Sequence, residues 1–346
     1  MFYKNILFPL TCALSSNDAE YAHTMGMWAL KVCGLPPMYS LFSKYTYVPG
    51  NEVEAFGIQF PSPVGLAAGF EKNAIAPWGI AALSPGFIEI GTVVPRYQKG
   101  NPRPRMFRLF EDRAIINRMG FNSIGSSQVE HRLCAYFEYG YKKPPMPIGI
   151  NVGANKNTPI KDAHRDYAEV IQVLYPFADY LTANVSSPNT VGLRELQFGS
   201  YLEQLLETVR DAVVWSAGNE SPKPILLKVA PDLKYRELEE LCDKAEQYVD
   251  GLIIGNTTVK RSKKLVSSYR DETGGLSGAP LRKRALRLVH HASKRCRLPI
   301  VCAGGVSCAD DVRRAQDAGA VLVQILTGMI YEGPMIFRNI NRELVR

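Results

Sequence analysis

The chain has no Cys-x-x-Cys pair, no apolar stretch long enough to cross a bilayer, no internal repeat and no low-complexity tract. Each absence removes a class of protein. The seven cysteines (Cys12, Cys33, Cys134, Cys242, Cys296, Cys302 and Cys308) are odd in number and scattered. That pattern argues against a disulfide framework, a zinc site or an iron–sulfur cluster, and a reducing, cytoplasmic interior is the simplest setting. A spanning helix needs a run of about 18 or more apolar residues, and none is present. The opening MFYKNILFPLTCAL superficially resembles a short signal peptide, but no convincing small-residue cleavage site follows. It is read as mature protein. A G-x-G-x-x-G dinucleotide fingerprint is also missing.

What is present is an ordinary globular composition. With 346 residues, 46% hydrophobic and 21% charged, the chain suits one large α/β barrel plus an extension, or two ordinary domains. Lys and Arg number 41 against 33 Asp and Glu, a net charge of +8. That excess fits phosphate, a carboxylate substrate, an anionic lipid surface or nucleic acid, without choosing among them. The short basic runs Lys260–Lys264 and Lys294–Arg297 read as solvated faces.

From about residue 60 onward, short apolar runs alternate with longer amphipathic stretches. The runs are Val64–Ala68, Phe87–Thr92, Ile148–Val152, Tyr180–Val185, Ile225–Val229, Gly251–Ile254, Ile300–Ala303 and Val321–Leu326. Helical patterns such as Tyr201–Val214 and Arg236–Tyr248 lie between them. Near-continuous apolarity at βαβ spacing predicts a parallel (β/α)₈ TIM barrel over residues 48–346. The rival is a doubly wound sheet, which does not predict polar residues at the end of so many runs. Gly69, Lys72, Thr92, Asn151, Asn184, Ser187, Lys228, Asn256, Thr257, Gly305 and Thr327 all lie at the end of a run or just after one. In a barrel those positions share one rim, where the active site is built.

Residues 1–47 fall outside the pattern and form a separate helical extension. Asn17-x-x-Glu20 reads as a capping box opening a helix to about Cys33, and Pro36–Pro37 start a second. Both are rich in Met, Trp, Tyr and Phe. Two readings stand side by side, a helical pair packed on the barrel and an amphipathic hood that dips into lipid.

Eight segments in order resemble those of the class 2, quinone-dependent dihydroorotate dehydrogenases. They are AAGFEK (Ala67–Lys72), NPRPRMFRL (Asn101–Leu109), INRMGFN (Ile116–Asn122), INVGANK (Ile150–Lys156), NVSSPNTVGLR (Asn184–Arg194), KVAPDL (Lys228–Leu233), NTT (Asn256–Thr258) and ETGGLSG (Glu272–Gly278). The similarity runs from roughly His23 to the end. It implies an FMN-containing barrel that oxidises dihydroorotate to orotate in pyrimidine biosynthesis and passes the electrons to a membrane quinone.

The resemblance also implies roles. Substrate contacts fall on Lys72, on the segment Asn117, Arg118, Met119, Gly120 and Phe121, and on Asn184, Asn189, Asn256 and Thr257. The chemistry agrees, because orotate is a planar carboxylate with ring amides, and Asn offers both a donor and an acceptor. Ser187 stands at the general-base position, with Thr190 and Phe121 shaping a proton relay. A free serine is a poor base and needs such a path together with a positive field. FMN contacts fall on Ala68, Gly69, Phe70, Glu71 and Lys72, on Thr92, Asn151 and Asn184, and on Lys228 and Gly255. Lys228 would face the N1/O2 edge of the flavin; a buried lysine is otherwise costly without an anionic partner. The phosphate belongs where Gly278, Gly305, Leu326 and Thr327 converge. His23 and Arg108 match residues of a quinone tunnel, and no metal is expected.

The sequence departs from the family at a few positions. Leu326 stands where Tyr is usual, which puts quinone affinity in doubt, and Gly255, Glu71 and Val94 replace Thr, Asp and Thr. The expected partners are dihydroorotate or orotate, a membrane quinone and an anionic lipid surface, with no nucleic acid and a monomeric chain. The expected place is the cytoplasmic side of a bacterial inner membrane, held peripherally. A soluble class 1 enzyme, a tRNA dihydrouridine synthase and a non-catalytic quinone- or lipid-binding module are the competing readings. The first two carry a catalytic Cys where this chain has Ser187 or none placed.

Overall fold

A computed structural model describes residues 3–190 and 192–346; Met1 and Phe2 of the expected extension, and Val191 in the NVSSPNTVGLR segment, lie outside the described residues. The chain enters the barrel through an antiparallel hairpin, β1 (Val53–Ala55) and β2 (Ile58–Phe60). Then come β3 (Val64–Leu66), β4 (Ile88–Val93), an excursion of β5 (Met106–Leu109) and β6 (Ala114–Asn117), and β7 (Ile148–Val152). The second half runs through β8 (Tyr180–Asn184), β9 (Ile225–Val229), β10 (Gly251–Ile254), β11 (Gly275–Gly278), β12 (Ile300–Ala303) and β13 (Ala320–Ile325). Strands β3, β4, β7, β8, β9, β10, β12 and β13 close into one parallel barrel, with β13 pairing back onto β3. These are the eight runs expected from the sequence, and the doubly wound alternative is excluded.

The strands read as continuous apolar runs because both of their faces are covered. Every residue of β4, β7, β8 and β9 is buried. Between strands, helices present one apolar stripe to the barrel. The helix Gly199–Ala217 buries Leu202, Leu205, Leu206, Val209 and Val213 at helical spacing. The helix Tyr235–Ala245 does the same with Leu238, Leu241 and Cys242. The N-terminal mouth is plugged, since Phe60 of the hairpin packs among Phe87, Tyr180, Leu226, Ile253 and Val301. The other mouth stays open beneath a three-stranded antiparallel sheet, β5–β6–β11, made by the excursions that follow β4 and β10. That leaves a single end of the barrel for chemistry.

The extension is helical, as expected. A turn at Tyr3–Leu7 leads into α1 (Phe8–Leu14), α2 (Ala19–Cys33) and α3 (Pro36–Thr46). The cap of α2 lies one residue later than the sequence suggested. Asp18 is the N-cap, its carboxylate accepting from the N–H groups of Glu20 at 2.8 Å and Tyr21 at 2.9 Å. Asn17 instead adopts a left-handed φ of 62°, and Glu20 does not close a capping box. Its carboxylate accepts from Arg105 at 2.6 Å and Arg103 at 2.9 Å, pinning α2 to the segment that leads into β5. Burial alone would raise the Glu20 carboxyl, but the hydrogen bonds and charges of these two arginines hold it below its ordinary value.

Because that value is depressed, the contact stabilises the fold above the ordinary carboxyl range and is lost as pH falls below it. Breaking a fully buried ion pair costs about 3–5 kcal/mol, and solvent reaching Arg103 reduces this. Glu20→Gln is therefore expected to cost about 1–3 kcal/mol at neutral pH and much less in acid. Thermal melts and limited proteolysis would show the N-terminal helices cut first. An unchanged melt at neutral pH would mean that another contact docks α2.

Candidate active site

The site is built in layers from the barrel interior upward. At its floor, the fully buried Glu89 of β4 accepts four hydrogen bonds. Oε1 receives Asn151 Nδ2 at 2.8 Å and Lys228 Nζ at 3.2 Å; Oε2 receives Thr182 Oγ1 at 3.2 Å and Gln324 Nε2 at 2.7 Å. Lys228 Nζ also donates to Gln324 Oε1 at 2.9 Å. Lys228 was expected here. Glu89 and Gln324 were not, and the only signal for them was a polar residue inside each of the apolar strands IEIGTV and AVLVQI.

Above the floor, Thr92, Asn151 and Asn184 form a second polar layer. Thr92 Oγ1 donates to Asn151 Oδ1 at 2.5 Å, and Asn184 Nδ2 donates to both Thr92 Oγ1 (2.9 Å) and Asn151 Oδ1 (3.0 Å). Asn184 Oδ1 accepts from Ser186 Oγ at 2.7 Å, which accepts in turn from Asn256 Nδ2 at 2.7 Å. Arg194 ties the loops together, donating to Ser186 O, Asp232 and Thr257 O. The order of these loops thus comes from side chains belonging to β4, β7, β8 and the segments beyond β8, β9 and β10.

Thr92, Asn184, Lys228 and Gln324 of these layers line a cavity of about 1210 Å³, including its open mouth. The structure brings most of the expected residues onto its wall: Ser187, Lys72, Asn117, Met119, Gly120, Phe121, Asn184, Asn189, Asn256 and Thr257 among the expected substrate contacts and base. Of the expected flavin contacts, Ala68, Gly69, Thr92, Lys228, Gly278, Gly305, Leu326 and Thr327 line it too. Lys72 makes no hydrogen bond among the described residues, and burial pushes its ammonium down to about 8 against the pull of Glu20 and Glu71. Among the described residues, Ser187 Oγ accepts only the N–H of Asn189, at 3.3 Å. Thr257 Oγ1, Asn122 Oδ1 and Thr190 Oγ1 are buried atoms without a partner among the described residues. Such atoms are costly unless a ligand or water meets them.

Some expected residues stand elsewhere. Asn151 lies beneath the wall and Thr190 behind it; neither faces the cavity. Gly255 is also behind it, at a φ of +118° where a Cβ would come within 1.8 Å of Ala303 O, so this chain needs glycine there. Arg118 points away, to Glu272 at 2.6 Å and over the Phe107 ring. Phe70, Glu71 and His23 line a second cavity under α2, which meets the first at Lys72, Met119 and Asn122. Burial, with the charge of Lys72, lowers His23 to about 4.

Arg108 lines neither cavity. It donates to Cys12 Sγ at 2.7 Å and to Asn17 O at 3.0 Å. It lies two residues beyond Met106 on the same face of β5 and pairs across to Ile115. Met106 and Ile115 do line the first cavity, with Leu326 and Ile330. His23 and Arg108 are therefore not brought onto one wall.

Part of the cavity is glycine-lined. A small recess between Gly278, Gly305, Val306, Thr327 and Gly328 adjoins it, with Arg113 at its side. Among the described residues the N–H groups of Gly304 and Gly305 have no backbone partner, and a Cβ on Gly278 would collide with Arg113 O at 2.4 Å. Exposed amides and missing side chains make a cradle suited to an anionic oxygen group.

Comparison with known proteins agrees with this architecture. Residues 51–346 match the family model described as Dihydroorotate dehydrogenase. The chain is 46% identical over 334 residues to Dihydroorotate dehydrogenase (quinone) of Thermus thermophilus, covering 95% of this chain and 93% of that protein. It is 43% identical over 353 residues to the mitochondrial Dihydroorotate dehydrogenase (quinone) of Mus musculus, covering 99% and 86%. Among solved structures, that of DHODH from Eimeria tenella in complex with ferulenol superimposes with a TM-score of 0.83 at 36% identity, covering 94% of this chain and 90% of that one.

The position of His23 beside Lys72 yields a measurable coupling. The His23 imidazole is expected to stay neutral from about pH 5.5 upward in ¹H–¹⁵N spectra of the histidine side chains. Lys72→Met removes the neighbouring positive charge and should move the His23 titration upward, while burial keeps it below the ordinary value. A His23 that titrates near 6.5 in the native protein would contradict this environment.

Proposed function

Because this chain belongs to the dihydroorotate dehydrogenase family, we infer that the rim cavity is where it oxidises dihydroorotate to orotate in pyrimidine biosynthesis, with quinone as the electron acceptor. The observation that carries the assignment is the wall itself. The Lys72 ammonium, which has no partner among the described residues, amide side chains and Ser187 face one space, with Lys228 at its floor. A planar carboxylate with ring amides satisfies that set. Lys72 meets the carboxylate, and Asn117, Asn184, Asn189, Asn256 and Thr257 meet the ring. The unpaired Thr257 Oγ1 supports this reading.

Oxidation removes a proton from C5 and a hydride equivalent from C6. Ser187 takes the C5 proton, and the field of Lys72 favours its doing so. The proton then needs a further acceptor; the buried Thr190 Oγ1, three residues beyond Ser187 and without a partner among the described residues, and Phe121 on the wall support a short relay through water. The flavin, when bound, supplies the two-electron acceptor for this oxidation. The residues present fit it as FMN. Lys228 offers a positive charge to the N1/O2 edge, Thr92 and Asn184 offer polar contacts, and the glycine recess offers N–H groups to a single phosphate.

The quinone end is the apolar flank of Met106, Ile115, Leu326 and Ile330, with Arg108 beyond it to hydrogen-bond a carbonyl. Leu326 brings no hydroxyl to that passage. Residues 1–47 then act as a hood on the barrel formed by 48–346. Ile6, Leu7, Leu10, Leu14, Trp28, Val32, Leu41 and Tyr45 are all exposed on these helices, a density of apolar surface that supports burial in a lipid interface. No helix among the described residues is long and apolar enough to cross a membrane. We place the protein peripherally, as a monomer, on the cytoplasmic side of a bacterial inner membrane.

Ser187→Ala should slow flavin reduction by dihydroorotate by about 10²–10⁴-fold while leaving orotate binding and flavin content intact. Stopped-flow reduction gives the answer, and near-native reduction would remove Ser187 from the role. Deleting residues 1–47 should spare dihydroorotate-driven reduction of a soluble dye, while quinone turnover and liposome binding fall together. A truncated protein that keeps both would leave the extension as a packed cap.

A further inference from the structure

Glu89 is a buried ionisable group at the floor of the site that the reaction as derived above does not use. It is fully buried, it lies under the cavity wall, and all four of its acceptor sites are taken, which is the coordination of an ionised carboxylate. Its ion-pair partner, Lys228, does line the cavity. The ammonium therefore sits between the carboxylate and the space above. Gln324 completes the clamp, donating to Glu89 with its amide nitrogen and accepting from Lys228 with its oxygen. With Nζ held at 3.2 Å and 2.9 Å by these two neighbours, the lysine has a fixed position.

We propose that Glu89 is a positioning residue that aims the Lys228 ammonium at the flavin edge and, through its negative charge, moderates the positive field the flavin experiences there. The proposal rests on the reading that the flavin lies against Lys228. The physical reason is a balance between two half-reactions. An unopposed buried ammonium would stabilise the negative charge of the reduced flavin strongly, which eases reduction by dihydroorotate but hinders reoxidation by quinone. Little water screens the carboxylate in this interior, so its charge reaches beyond the lysine. The reduction equilibrium is then set by the pair and not by the lysine alone.

The test is the flavin midpoint potential, measured by spectroelectrochemistry near neutral pH in the flavin-loaded native protein and in Glu89→Gln, Lys228→Met and the double variant. The expected order, from highest to lowest, is Glu89→Gln, native, double variant, Lys228→Met. The step from native to Glu89→Gln should be at least tenfold in the reduction equilibrium, about 30 mV for a two-electron couple. A purely structural Glu89 would change flavin content or melting temperature and leave the potential in place. Should Glu89→Gln fail to fold, comparing Lys228→Met with the double variant removes the same charge from a scaffold without the ammonium. A potential for Glu89→Gln at or below native, or coincidence of the double variant with Lys228→Met, overturns the proposal. If Lys228→Met itself leaves the potential at the native value, the flavin does not lie against Lys228, and the underlying placement fails with it. If Lys228→Met lowers the potential but removing Glu89 changes nothing, the placement stands and only the role of Glu89 is lost.

Discussion

A charged pair sealed inside a barrel is the constraint from which the rest of this molecule is arranged. Taking a carboxylate and an ammonium out of water costs several kcal/mol per ion, and their attraction offsets it only when further hydrogen bonds fill the remaining valences. Here Glu89 and Lys228 obtain them from Asn151, Thr182 and Gln324. Five of the eight barrel strands, β4, β7, β8, β9 and β13, each commit a side chain to this cluster. A one-residue slip of any of them would turn its polar side chain away from the interior and leave a buried charge unsatisfied. The cluster thus restricts register, and the rim residues at the strand ends take their positions from it.

The layer above converts that rigidity into recognition. Thr92, Asn151 and Asn184 satisfy one another, so they form a hydrogen-bonded base beneath the amide groups at the mouth. Lys72 is different, since it has no hydrogen-bond partner among the described residues and is destabilised as a cation by its enclosure. An unpaired cation above a fully paired floor is a site prepared for an anion. Two cavities meet at Lys72, one over the barrel and one under α2. The same residue is thus open to the barrel mouth and to the N-terminal helices.

Much of this was legible in the sequence, for definable reasons. Parallel strands buried on both faces give unbroken apolar runs, so all eight barrel strands could be read from Val64 to Ile325. Their polar ends marked the rim, and the resemblance supplied roles that spacing alone does not. Glu89 and Gln324 were not legible, because a polar residue inside an apolar strand carries no local sign of the partner it faces. The cap of α2 is ambiguous in sequence because Asn17 and Asp18 are adjacent and both can cap; the left-handed turn at Asn17 and the bonds to the Asp18 carboxylate decide it. The separation of His23 from Arg108 depends on which face of α2 meets the barrel, and on Cys12 and Asn17 O engaging Arg108. Neither fact is local in sequence.

The central claim is that one rim cavity holds substrate and flavin together, between Lys72 and Lys228. A crystal structure of the purified protein with orotate tests it most directly. The account predicts FMN with its phosphate in the glycine recess at Gly278 and Gly305, and its N1/O2 edge on Lys228. Orotate should lie against it, with its carboxylate on Lys72 and Ser187 beside C5. Orotate in the cavity under α2, or a flavin whose ring lies away from Lys228, would contradict it.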